Sequence, residues 1–237
     1  MHSRMGQSLR PRVGPGVPGG LRRLPPAYPG VRVLKPQDVC LLLKMVARGP
    51  EPWSYSQLAW EMGMSASEVH AGLRRAAEAG LLVLEDGWGV PDAAGLDALL
   101  VHGVRYVWSP VRGGLVQGTP TGAAAPVLAA LLPPRDEPPD VWPDPEGEVR
   151  GLAFEPLYKS MPVAAKRDPV LHELLVLVDA IRGGPDRARE VAVRQLRRRL
   201  GTDGTGVLSQ ISAARTRQSA RTTFAGSHGK ERQRVHR

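Results

Sequence analysis

Arg74 and Arg75 stand side by side in a stretch of helical periodicity, shortly after the hydroxyl residues Ser65 and Ser67. A guanidinium can grip guanine O6/N7 or a phosphate through two parallel hydrogen bonds. Hydroxyls at the start of a helix lie among bare N–H groups that favour an anion. His70 and Ala71 belong to the same stretch, with His70 at the edge of the face that must be buried. The same spacing also lets Arg74 and Arg75 pair with Glu78 at i,i+3 and i,i+4 on a solvated face, and lets His70 be a satisfied boundary histidine. Catalytic chemistry lacks its partners. His172-Glu173 is followed by Val176 where a zincin helix needs its second histidine. Cys40 lies on an apolar helix face and reads as a small buried hydrophobe. The Gly/Thr-rich run from Gly113 to Gly122 lacks the Gly-Lys-Ser/Thr ending of a phosphate loop. No enzyme activity, cofactor or metal site is expected.

The elements that must hold these side chains are legible between residues 36 and 90. Pro36 suits the first turn of a helix, where its missing N–H costs nothing, and Val39, Leu42, Leu43 and Val46 recur at helical spacing until Gly49-Pro50. Ser54 with Gln57, and Ser65 with Glu68, have capping-box spacing, in which the two side chains satisfy orphan N–H groups reciprocally. The first pair opens a short helix through Leu58, Ala59 and Met62, broken by Gly63. The second opens a third helix to about Ala79, with Val69, Leu73, Ala76 and Ala77 inward and Gly80 as its stop. At about 100° per residue this turns Ser67, Ala71, Arg74, Arg75 and Glu78 outward. Leu81 to Leu84, a turn at Glu85-Asp86-Gly87, and Trp88-Gly89-Val90 read as a hairpin, with Trp88 packed beneath it.

That order is the one of a winged helix-turn-helix. The wording YSQLAWEMGMSASEVHAGLRRAAEAGLLV, in particular Leu58-Ala59, Gly63, Ser65, Val69, Leu73 and Ala79-Gly80-Leu81, resembles MarR-like bacterial transcriptional regulators. The resemblance covers under a quarter of the chain. It implies a mainly α fold with a small β-wing, the third helix (66–79) entering the major groove of double-stranded DNA while the wing touches backbone or minor groove. It further implies a sequence-specific transcriptional regulator acting as a homodimer, with Ser65, Ser67, His70, Ala71, Arg74 and Arg75 facing DNA. The wing departs from the pattern, because Glu85 and Asp86 at its tip repel phosphate where such regulators carry a basic residue. Winged helices also bind proteins, so the alternative is an interaction adaptor or antitoxin-like regulatory partner.

Beyond this winged helix-turn-helix domain (33–92) the expected organisation is a helical or irregular extension (93–132), a Pro-rich acidic linker (133–147) and a C-terminal helical hairpin (148–200). Asp92 can cap a helix carrying Leu96, Leu99, Leu100 and Val101 that ends at Gly103, Val104 to Trp108 alternates like a strand, and Ala123 to Leu132 suits a short helix. Residues 133–147 combine prolines with acids. Asp168-Pro169 is an N-cap and first-position pair for a helix holding Leu171, Leu174, Leu175, Val178 and Ile181, and Gly183-Gly184-Pro185 turns the chain into a second helix to Leu200. The apolar stripe of the first is wider than one partner helix covers, so it must pack on the winged helix or on a second subunit as well. Arg187, Arg189, Arg194, Arg197, Arg198 and Arg199 line the outer side of the second, as a solvated face or a docking face for nucleic acid or an acidic partner. Phe154, Leu157, Tyr158 and Met161 read as apolar anchors.

Charge is unevenly placed. The 237 residues carry a formal charge of +9, yet 36–132 holds six basic and nine acidic residues, and 133–200 holds twelve of each. The surplus lies in 1–35 and 201–237. Both ends, with their Gly, Pro, Ser, Thr and Arg, read as disordered basic tails (1–32 and 201–237) that are either solvated or add phosphate attraction. An organellar transit peptide is opposed by the Gly/Pro density of the first. Cys40, the single cysteine, excludes a disulfide scaffold. The longest apolar runs, such as Leu174 to Val178, are far short of the roughly 20 residues that span a bilayer. A soluble, cytoplasmic protein with no membrane partner is expected.

Overall fold

A computed structural model describes residues 33–85 and 88–203. Helix α1 (Pro36–Arg48) starts on its proline, with the Lys35 N–H donating to the Asp38 carboxylate at 2.8 Å, and stops at Gly49, whose φ is 71°. Helix α2 (Tyr55–Met62) is capped by the Ser54 hydroxyl, which accepts from the Gln57 N–H at 3.1 Å. The reciprocal half of that expected box is absent, because the Gln57 amide instead donates to Glu61 at 3.0 Å, one turn along. Helix α3 (Ala66–Glu78) carries both halves of its box on Ser65 and Glu68. Strands β1 (Leu82–Glu85) and β2 (Trp88–Pro91) pair antiparallel, Val83 opposite Val90. Val69, Leu73 and Ala76 of α3 and Leu58 and Met62 of α2 are buried in one apolar core with Leu41 to Leu43 of α1. Each fully buried leucine of this kind contributes about 2 kcal/mol.

The next segment departs from the alternating reading. Asp92 caps α4 (Ala93–Ala98) by accepting from the Ala94 and Gly95 N–H groups, as expected. The helix then widens into a π-helical turn (Leu99–Gly103) and continues as α5 (Val104–Val107), where a strand was expected. Gly103 keeps right-handed helical angles (φ −107°, ψ −41°), so it does not end the helix; the wider turn absorbs it.

The Gly-rich run 113–122, placed above within the helical or irregular extension, is mostly strand. β3 (Arg112–Pro120) pairs antiparallel with β4 (Asp140–Pro143) and with β5 (Val149–Phe154), and β4 and β5 pair parallel, so the three strands close on themselves. So small a closure needs strands to touch. A Cβ at Gly118 would lie 2.2 Å from the Trp142 carbonyl oxygen, and one at Gly151 would lie 2.2 Å from that of Pro139. The expected linker 133–147 therefore contains a core strand, with Val141 and Trp142 buried. Prolines favour extended backbone, and extended backbone serves a strand as well as a linker. A short α6 (Pro126–Ala129) lies between β3 and β4.

Residues 148–200 hold more than a hairpin, since β5 and α7 (Met161–Arg167) precede α8 (Pro169–Gly183) and α9 (Asp186–Leu200). Helix α8 is the centre of the fold. Leu174 to Arg182 are all buried, with α1, α5, α7 and α9 packed around them, as an all-round apolar helix requires. Its polar residues are sealed in a network: Asp179 accepts from the Thr121 hydroxyl (2.8 Å), the Trp142 indole (2.7 Å) and Arg182 (2.6 Å), and Arg182 also donates to the Trp108 carbonyl. This ties the residues that directly follow α5 and β3, and β4 itself, to one helix. Gly201, φ 69°, closes α9, so residues 201–203, expected in the C-terminal tail, form an ordered cap; 204–237 and the N-terminal tail lie outside the described residues. The protein is mostly helical with small sheets, and among the described residues no helix is long and apolar enough to cross a membrane.

Candidate nucleic-acid interface

Helix α3 is mounted from one side. Val69, Leu73 and Ala76 enter the core, and Gly72 lets α1 approach so closely that a Cβ there would lie 2.6 Å from Leu41 Cδ1. The opposite side faces solvent: Ser67, His70, Arg74 and Glu78 are exposed, and Ala71 is half-buried beside them. Ser65 is spent on the cap, its hydroxyl accepting from the Glu68 N–H at 3.2 Å while Glu68 accepts from the Ser65 N–H at 2.9 Å. The His70 ring lies 5.1 Å from that of Tyr55 on α2, and although expected at the edge of the buried face it is exposed.

The two arginines part company. Arg74 leaves about half its side chain in water and lies 3.6 Å from Glu78, a loose i,i+4 contact of the kind worth little. Arg75 was expected outward with it. Instead its Nε and Nη2 donate to the two oxygens of Asp38, at 2.7 and 2.6 Å, with that carboxylate wholly buried and the arginine side chain only 12 % exposed. Arg75 is thus a clamp between α3 and α1 and is withdrawn from the proposed groove-facing set. The reason is that a carboxylate in the first turn of α1 could not stay buried unpaired.

A second set of charges fixes the turn between α2 and α3. Lys44 on α1 bridges Glu61 (2.9 Å) and Asp168 (2.7 Å), the N-cap of α8, and Arg48 also holds Glu61 at 2.9 Å. Burial pushes the Glu61 carboxyl up, but the hydrogen bonds from Lys44 and Arg48 outweigh it and hold it below the usual range. Asp168 behaves in the same way: burial opposes, and Lys44 and the Leu171 N–H prevail. The connection from β5 to α7 then lies over the turn. Ser160 donates to the Met62 carbonyl at 2.7 Å, Arg167 sits 4.7 Å over the Trp60 ring, and the Tyr158 hydroxyl donates to Glu68 at 3.2 Å. The Ser65 N–H first, then the Ser65 and Tyr158 hydroxyls, keep Glu68 ionised. Sequence reasoning found Leu157, Tyr158 and Met161 only as apolar anchors; nothing local signals the contact of Tyr158 with a helix some ninety positions earlier.

Other candidates resolve into structure. Cys40 is buried among α1 contacts, and burial raises its thiol far above the ordinary range. Burial also pushes the His172 imidazole down, its ring lying 5.5 Å from Trp142. Among the described residues no group of three or more His, Cys, Asp and Glu side chains could hold a metal. On α9, Arg189, Arg197 and Arg199 pair with Asp186, Asp97 and Glu173, leaving Arg187, Arg194 and Arg198 as the exposed ones. The expected acidic hairpin tip at Asp86 and the packing of Trp88 lie outside the described residues. No protein-family model, curated protein or solved structure matches the chain.

Proposed function

We propose that the protein is a sequence-specific double-stranded DNA-binding regulator of winged helix-turn-helix type, akin to the MarR-like proteins that residues 36–90 resemble. The observation that carries this reading is the one-sided mounting of α3. Its inner face is locked to α1 by the core and by Arg75–Asp38, and its outer stripe of Ser67, His70, Ala71 and Arg74 is left to solvent. A stripe of small and polar residues with one arginine suits base edges in the major groove. Arg74 takes the guanine-reading role, and Ser67 a phosphate near the start of the helix. A homodimer would place two such helices on half-sites about one helical turn apart.

The test is enrichment from a random pool of duplexes, followed by titration of the enriched duplex with Arg74→Ala. Loss of about 1–3 kcal/mol of binding, with relaxed preference at one base pair, is expected. Failure to enrich any sequence overturns the proposal. A second reading, a winged helix that binds protein, is favoured by the loss of Arg75 to Asp38, which leaves Arg74 as the sole arginine on the outer stripe. A stoichiometric protein complex blocked by Arg74→Glu, with no DNA retardation at low salt, would establish it instead.

A further inference from the structure

We infer that Lys159, in the connection between β5 and α7, is part of the DNA-binding surface and holds a backbone phosphate beside the first turn of α3. This deepens the reading above and rests on it. Three observations carry the inference. First, the flanking residues fix the connection to the helix-turn-helix: Tyr158 donates to Glu68, the third residue of α3, and Ser160 donates to Met62, the last residue of α2. Leu157 and Met161 on either side are buried, and Ser160 comes so close to the turn that a Cβ at Gly63 would lie 3.3 Å from the Ser160 Cβ, tighter than ordinary van der Waals contact. Lys159 is therefore held at this corner of the fold by contacts on both sides of it.

Second, Lys159 itself is exposed and makes no ion pair within 4 Å among the described residues, whereas Lys44, Lys166, Arg48, Arg75 and Arg167 around the turn are engaged. Lys44 and Arg48 serve Glu61, Lys166 serves Asp144 and Glu146, and Arg167 covers Trp60. Third, Glu68 is an exposed negative charge on the first turn of α3, and the Lys159 charge is the smallest of the influences that favour its ionised form, after the Ser65 and Tyr158 hydrogen bonds. A duplex docked on the outer stripe thus meets a compensating cation supplied by a segment outside the helix-turn-helix. A flexible ammonium without directional partners suits a phosphate rather than a base edge.

The experiment titrates the duplex enriched above, and its single-base variants, with full-length wild type, Lys159→Ala and Lys159→Arg over a range of salt. Lys159→Ala should weaken binding by the same factor on every variant and lower the slope of log K against log salt by about 0.9, the share of one phosphate. Lys159→Arg should restore both, which a merely structural lysine would not do. Arg74→Ala serves as the contrast, because its loss depends on the base pair. An unchanged slope with Lys159→Ala on a duplex that the wild type binds overturns the role of Lys159 and leaves the DNA reading standing. Absence of any enriched duplex overturns both.

Discussion

Replacing Arg75 by alanine separates its two conceivable roles, a groove contact or an internal clamp. In the structure the guanidinium is the main partner of Asp38, which has no exposure and otherwise accepts, among the described residues, only the Lys35 N–H. Removing one member of such a pair leaves a buried charge without compensation, which costs about 3–5 kcal/mol. The lower end applies, because the arginine side chain keeps 12 % of its surface in water and its removal opens a path for solvent to the carboxylate. With about 2 kcal/mol lost per molar urea, a deficit of about 3 kcal/mol lowers the unfolding midpoint by about 1.5 M. The assay is urea unfolding followed by far-ultraviolet circular dichroism on wild type, Arg75→Ala, Asp38→Asn and the double variant. The amide oxygen introduced by Asp38→Asn would still accept the Lys35 N–H, so the double variant should regain much of the loss, with a coupling of about 2 kcal/mol. Arg74→Ala should unfold within about 0.5 kcal/mol of wild type, as an exposed site does. If Arg75→Ala unfolds at the wild-type midpoint yet binds DNA poorly, the clamp is wrong and Arg75 belongs in the groove.

Three further outcomes follow from the same contacts. The carboxyls of Glu61 and Asp168 are held below their unfolded range of about 4, so their contribution is complete above that value and is lost as pH falls through the folded values. Stability should decline as pH drops below about 4, and Lys44→Met should flatten the decline; an equal slope in both proteins refutes the bridge. Gly118→Ala drives a methyl into the Trp142 carbonyl and should cost about 2 kcal/mol by thermal unfolding, while Gly114→Ala, with nothing within 4 Å, should be neutral. Cys40, wholly buried with its thiol raised by burial, should react with a thiol reagent only at the rate of global unfolding, and faster labelling of the native protein would contradict the packing.

Much of the helical half was readable one element at a time. Pro36, Ser65 with Glu68, Gly80, Asp92, and Asp168-Pro169 are local devices, acting within a turn of where they stand, and the structure uses each where the spacing puts it. The width of the α8 apolar stripe also foretold that α9 alone would not cover it, and α1 does so. The misreadings fall where local pattern is ambiguous. Val104 to Trp108 alternates in polarity but sits at a helix end, where Val104 alone is buried. The prolines around Val141 and Trp142 looked like a linker because extended chain has the same signature with or without a partner strand.

For the candidate interface the division is sharper. Helical period places Arg74 and Arg75 within one arc, and no local rule tells them apart, since adjacent residues differ by only about 100°. What separates them is Asp38, far away in the chain, whose buried carboxylate captures one guanidinium and leaves the other in water. Tyr158 reaches α3 in the same non-local way, through a connection whose neighbours are chosen by packing. Caps, stops and periods are short-range and can be spelled in the order of residues. The ownership of a charge depends on which distant groups share its dry surroundings, and that is decided only when the chain has closed around it.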